Sequence, residues 1–159
     1  MTMQPASTEI ASRTAAIIQE LEGLEGPLLP ILHGIQEEFG HVPQDALPVI
    51  AEALNISKAE VHGVVTFYHD YRRHPAGRHV LKLCQAEACQ SMGSDLIAAK
   101  LKQLLGIGFH ETARDGSVTL EPVYCLGLCA CAPSAMLDGD VIGRLNDEKL
   151  DEIVAEVRS

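Results

Sequence analysis

Apolar residues recur at helical spacing through the first half of the chain, and the period shortens beyond residue 79. Ile10, Ile17, Ile18 and Leu21 fall on one face of a first predicted helix, which Gly23, Gly26 and Pro27 interrupt. A second follows at once: Pro27 suits its first position, Leu28, Leu32, Ile35 and Phe39 carry the apolar stripe, and Gly40 terminates it. Pro43 opens a third, with Leu47, Ile50, Ala51 and Leu54 inward. Ser57-x-x-Glu60 then forms a capping box for a fourth helix bearing Val61, Val64, Val65 and Tyr68.

Past Arg72, His74, Pro75 and Gly77 the pattern changes. Val80 to Leu83 is a short, mostly apolar run that suits a buried strand and delivers Cys84 at its carboxyl end. A helix follows, with Met92, Leu96, Ile97, Leu101, Leu104 and Leu105 on a broad buried face and Gly106 and Gly108 at its end. Asp115-Gly116 marks a hairpin between candidate strands at Phe109 to Ala113 and Ser117 to Tyr124. Asp138-Gly139-Asp140 marks another, between Ala135 to Leu137 and Val141 to Leu145. Asn146 caps a last helix with Leu150, Ile153, Val154 and Val157 inward.

The fold class is therefore α+β, with a helical bundle over residues 1–75 and a mixed domain over residues 76–159; the boundary falls between Tyr71 and Gly77. Helices alone over residues 1–75 would be marginally stable, so the bundle is expected to lean on the second domain or on another subunit.

Charge and composition narrow the function classes. A balance of 22 acidic against 12 basic residues, and an aromatic share of only 4%, argue against nucleic acid: the surface repels phosphate and has little to stack on bases. The same acidity suits a basic face on a partner protein or serves solubility alone; the Arg72-Arg73 pair would suit an acidic one. Met1 to Ser12 carries no cationic stretch followed by an apolar run, so a secretory signal is not expected, and no apolar run approaches the ~18 residues of a membrane helix. The expected setting is cytoplasmic, where cysteines serve as thiolate ligands or redox groups rather than as disulfides.

Five cysteines, all in the second half, carry the candidate chemistry. Four form two tight pairs, Cys84-x4-Cys89 and Cys125-x3-Cys129, while Cys131 sits two residues beyond the second pair. The spacing permits structural zinc, hence a zinc-stabilised interaction module, without favouring it. A dithiol oxidoreductase calls for Cys-x-x-Cys at a helix amino end, which is missing, and Cys129-Ala130-Cys131 is a poor substitute. A 2Fe-2S cluster needs four soft thiolates, which two loops each supplying a pair would provide; no Cys-x-His suggests the histidine-ligated variant. Gly127 permits a tight loop that aims amide hydrogens at sulfur, with Leu126 and Leu128 to exclude water and Pro133 to stiffen the exit. Buried cysteines in an ordinary turn remain the plain alternative. The seven histidines, His33, His41, His62, His69, His74, His79 and His110, are scattered without paired ligand spacing and read as surface or packing residues. No acid–base pair or nucleophile motif stands out, so no catalytic residue is assigned.

From about Leu28 to Val157 the chain resembles the small thioredoxin-like iron-sulfur subunits of NADH dehydrogenase modules, found in respiratory complex I and in soluble NAD-linked formate dehydrogenases and hydrogenases. The resemblance rests on Ile35-Gln36-Glu37-Glu38-Phe39-Gly40, on Val61-His62-Gly63-Val64-Val65-Thr66-Phe67-Tyr68, on Cys84-x4-Cys89, and on Cys125-Leu126-Gly127-Leu128-Cys129 followed by Ala132-Pro133. It implies a thioredoxin-like domain after the bundle, with one 2Fe-2S cluster held by Cys84, Cys89, Cys125 and Cys129. It also implies a partner subunit that carries flavin mononucleotide and binds NADH, and a role in electron transfer without a substrate pocket. The loop Cys84-Gln85-Ala86-Glu87-Ala88-Cys89-Gln90 is most similar to that of the gamma subunits of soluble, molybdenum-containing, NAD-dependent formate dehydrogenases. That implies a larger complex with a molybdenum-containing formate dehydrogenase subunit; complex I and NAD-linked hydrogenase are the other parents. Cys131 departs from the four-cysteine pattern and reads as a packed thiol or as a substitute ligand.

Overall fold

The computed structural model describes residues 6–159; the opening residues of the Met1–Ser12 stretch lie outside them. Two compact units divide the chain, the first ending at Pro75 and the second running Ala76–Ser159.

Four helices build the first unit: α1 (Ser7–Leu21), α2 (Leu28–Phe39), α3 (Ala46–Leu54) and α4 (Lys58–Phe67). Their apolar stripes meet in one cluster that includes Ile10, Ile18, Ile31, Leu32, Ile35, Ile50, Val61 and Val65, so the helical spacing becomes a shared core. Gly40 stops α2 in the left-handed conformation, with φ of 72°. The predicted box caps α4: the Ser57 hydroxyl accepts from Glu60 N–H at 3.2 Å, and the Glu60 carboxylate accepts from Ser57 N–H at 2.7 Å. Several boundaries differ from expectation. Pro27 caps α2 from one position outside, and α3 begins at Ala46 because Pro43 opens a turn whose carbonyl accepts from Ala46 N–H. Tyr68 leaves helical geometry, ending α4 at Phe67, and is exposed. Downstream, the Gln36 side chain donates to Asp70 O and accepts from Arg72 N–H, tying the end of the unit back to α2.

The second unit is a five-stranded sheet, β1 (His79–Cys84), β2 (Glu111–Thr112), β3 (Val118–Val123), β4 (Ser134–Leu137) and β5 (Asp140–Gly143), in the order β2-β3-β1-β4-β5. The central β1 runs parallel to β3, and all other pairs are antiparallel. Such a parallel pair requires a crossover, here α5 (Glu87–Ser91) and α6 (Ser94–Leu105). Register places Leu81 opposite Leu120 on one side and Leu137 on the other. This row packs with Leu101 of α6 and with Leu150, Ile153 and Val157 of α7 (Asp147–Val157). Burying one such leucine contributes about 1.5–3 kcal/mol. Asn146 caps α7 by accepting from Lys149 N–H at 3.0 Å, as its sequence position predicts.

The crossover departs from the sequence reading. The apolar spacing predicts one helix after Cys84, but Gly93, at φ of 92°, separates two. The break turns Met92 and Leu96 outward, at 62% and 78% exposure, so they are not part of the predicted buried face. The strand expected at Phe109 to Ala113 shrinks to Glu111–Thr112, since His110 takes a positive φ just before it. β5 stops at Gly143 rather than Leu145, with Arg144 at φ of 53°.

Candidate metal centre

Cys84 ends β1 in register with Val123 at the end of β3, and Gln85 N–H donates to Val123 O at 2.8 Å. The parallel strands therefore stop side by side, and the chain leaving β3 reaches Cys125 within two residues. Cys89 stands in α5, with its Sγ 3.5 Å from the hydroxyl of Ser134, the first residue of β4. Since β4 flanks β1 on its other side, all these groups collect at one end of the sheet. Cys129 opens a single turn of 3-10 helix, Cys129–Cys131, and its Sγ lies 3.8 Å from that of Cys125.

Backbone geometry holds the second pair. Gly127 has φ of 76° and donates its N–H to Cys125 Sγ at 3.4 Å, the amide-to-sulfur bond that a Gly at this position predicts. Cys125 itself has φ of 100°, a conformation that non-glycine residues adopt at a cost of about 1–3 kcal/mol and that concentrates at functional sites. Nothing in the sequence signals it.

Burial divides the pairs. Cys84 and Cys89 are each only 2% exposed, whereas Cys125 and Cys129 are exposed. Leu126 and Leu128 thus do not exclude water from the second pair in this chain, contrary to the sequence expectation. Nor do two loops supply the sulfurs, because Cys84 belongs to a strand and Cys89 to a short helix.

Local electrostatics record the same convergence. Burial pushes the Cys84 thiol up, but the amides of Ala86, Cys125 and Leu126, with the Cys89 side chain, outweigh it and hold the thiol below its ordinary value. The Cys129 thiol is raised, foremost by its hydrogen bond to Cys125 and the charge there, then by burial and by Cys89 and Cys84. Each pair therefore feels the other.

This donor set fits a two-iron cluster. Among the described residues, no group of three or more His, Cys, Asp or Glu side chains is gathered closely enough to hold a metal ion, so the fit rests on the chemistry of the cysteine donors and on the spacing within the second pair. Two corners of a tetrahedral thiolate site with bonds of about 2.3 Å lie about 3.8 Å apart, which is the separation of Cys125 and Cys129. Cys131 is half-buried, and its Cβ faces Gly143, where an added Cβ would lie 2.8 Å away. Its Cβ and carbonyl therefore lie against Gly143 of β5. The histidines find other uses: His79 Nδ1 meets Asp138 at 2.6 Å, His110 Nδ1 meets Glu121 at 2.7 Å, and His33 packs on Tyr71.

Sequence reasoning missed three supporting residues. Ser94, fully buried, donates to Cys84 O at 2.7 Å; Gln85 donates to both; Ser134 reaches Cys89. Serine and glutamine carry no motif, and only the folded sheet brings them to the cysteines.

Known proteins resemble this chain over most of its length. It is 35% identical over 143 residues to a subunit of the NADH-quinone oxidoreductase of Pseudomonas aeruginosa, covering 88% of this chain and 86% of that protein. Its identity to the corresponding NADH-quinone oxidoreductase subunit of Escherichia coli is 36% over 147 residues, covering 91% and 89%. In three dimensions it resembles an NAD+-reducing [NiFe]-hydrogenase in the H2-reduced state, with a TM-score of 0.70 at 21% identity, covering 82% of this chain and 22% of that one. That likeness concerns fold alone. Residues 14–158 match the family described as thioredoxin-like [2Fe-2S] ferredoxin, and the chain belongs to this family, which carries a single 2Fe-2S cluster.

Proposed function

We propose that this chain is an electron-transfer subunit whose 2Fe-2S cluster is held by Cys84, Cys89, Cys125 and Cys129 and exchanges single electrons with the flavin mononucleotide of a partner NADH-binding subunit. The observation that carries the reading is the gathering of four cysteines at one end of the sheet, with one pair buried and the other open to the surface. When bound, such a cluster supplies one-electron chemistry, and a flavin converts the two electrons of a nicotinamide hydride into single steps. The chain's residues provide the holding and the tuning. Cys84 and Cys89 anchor the site in the core, the Gly127 amide supports the charge on Cys125, and the exposed Cys125–Cys129 edge leaves a face open to a partner.

Its relatives of similar length are NADH-quinone oxidoreductase subunits, which supports a place in an NADH-oxidising module. The narrower parent, a cytoplasmic molybdenum-containing NAD-dependent formate dehydrogenase, rests on the Cys84–Gln90 loop. Among the described residues no helix is long and apolar enough to cross a membrane.

Anaerobic purification with iron, sulfide and zinc analysis tests the cofactor in this chain: two irons and two sulfides per chain, with a 2Fe-2S resonance on reduction, are expected. Iron-free native protein would overturn the reading. Replacing each cysteine by serine tests the ligands, with an intact cluster expected only in the Cys131 variant. Co-purification identifies the parent: a molybdenum subunit that oxidises formate supports the narrower assignment, and quinone-reductase partners overturn it.

A further inference from the structure

Ser134 is almost wholly buried, at 1% exposure, in a polar position that the electron-transfer reading does not by itself require. Its hydroxyl lies 3.5 Å from Cys89 Sγ, its only side-chain hydrogen bond among the described residues. Two features fix it there. It begins β4, paired with Gly143 of β5, so its backbone cannot drift; and it follows the buried Pro133, whose carbonyl accepts from Leu145 N–H at 3.0 Å. Cys89 is held as firmly from the other side, inside α5, by its N–H to Ala86 O at 2.9 Å.

We infer that Ser134 is a positioning residue that sets the reduction potential of the cluster by donating its hydroxyl hydrogen to Cys89 Sγ. The inference rests on Cys89 being a ligand. A ligating cysteine is a thiolate and has no proton to give, so the direction of the bond is fixed: oxygen donates and sulfur accepts. Taking up one electron adds negative charge to the cluster and its sulfurs. A donor to sulfur therefore stabilises the reduced form more than the oxidised form and raises the potential. Burial strengthens the effect, since a hydrogen bond in a low-dielectric site is screened less than one in water. The Gly127 amide makes the corresponding bond to Cys125, but at an exposed position, where solvent competes with it. The Ser134 bond comes from a side chain, so one replacement removes it without altering backbone donors.

The test is a redox titration of the full chain carrying its cluster, followed by electron paramagnetic resonance, with iron and sulfide content measured in parallel. Ser134→Ala is expected to keep two irons per chain and to favour the oxidised state by about tenfold, a fall of about 59 mV for a one-electron couple. Ser134→Thr keeps the hydroxyl and is expected to stay near the parent potential. Ser134→Cys retains only a weak donor and is expected to fall between parent and Ala. A fully assembled Ala variant at the parent potential overturns the inference, as do Ala and Thr variants shifted equally, which would mark a packing effect. If the Ala variant fails to assemble, the Cys variant decides: a lowered potential supports the inference and an unchanged one refutes it. Iron-free parent protein, by contrast, removes the ligand reading itself before any variant is compared.

Discussion

Replacing Gly143 by Ala probes how firmly the 3-10 turn beside the second cysteine pair is held. An added Cβ would lie 2.8 Å from Cys131 Cβ and 3.0 Å from Cys131 O. Carbon atoms pack best at about 3.5–4.0 Å, so one side must retreat by roughly 0.7 Å or more. Neither side is free to do so. Cys131 O accepts from Arg144 N–H at 2.6 Å and Cys131 N–H donates to Leu128 O at 2.8 Å, while Gly143 pairs with Ser134 and its carbonyl accepts from Lys149 Nζ at 2.6 Å. Overpacking of this kind costs about 1–3 kcal/mol. Restricting the unfolded chain returns about 0.4–1 kcal/mol, leaving a mid-range net loss of about 1.3 kcal/mol. For a unit of this size each kcal/mol lowers Tm by about 4–8 °C. Amide hydrogen exchange at β1 and β4 reads the second unit alone, and faster exchange there, with a lower Tm, is expected. Unchanged exchange and Tm would show that the turn yields freely and that Gly143 is not chosen for close approach. Gly63→Ala is the control: its Cβ would meet nothing within 4 Å in α4, so no such loss is expected.

Other expectations follow from single contacts. Ser57→Ala removes one arm of the α4 capping box and should lower the stability of the first unit by about 1 kcal/mol in urea unfolding. Thr14 is fully buried with a hydroxyl that has no hydrogen-bond partner, so Thr14→Val, similar in shape, should leave stability unchanged or raise it by about 1 kcal/mol, read the same way. At Asp138, burial pushes the carboxyl up, but the bonds from His79 and Val80 N–H outweigh it and hold its pKa below the ordinary value. A depressed carboxyl stabilises the fold above its unfolded pKa, and that contribution is lost as pH falls through the folded value. Asp138→Asn should therefore be less stable than the parent at neutral pH, with the gap closing below the usual carboxylate range when thermal unfolding is followed against pH.

The helical first half was legible because its physics is local. A 3.6-residue period, the Ser57–Glu60 box and Gly40 each act within one or two turns, and the structure uses all three. The same holds for Asp115-Gly116 and Asp138-Gly139, where the turn chemistry requires positive φ and the chain adopts it at Gly116, Asp138 and Gly139. Periodicity failed where a local break redirected a face. Met92 and Leu96 fit the apolar stripe of one long helix, but Gly93 divides that helix and turns them to the surface.

At the candidate site, the sequence by itself determined the chemistry available: four cysteines in two pairs, a glycine that lets an amide face sulfur, and a resemblance that names the cluster. Tertiary structure decided which groups meet. Parallel pairing of β1 with β3 places Cys84 beside the segment leading to Cys125, and β4 on the opposite flank brings Ser134 to Cys89, although neither meeting is written in local spacing. It also decided that one pair is buried and the other open, and that Cys131 rests on Gly143. Spacing along a chain fixes what a short loop can hold, whereas strand order and register fix what lies across from it.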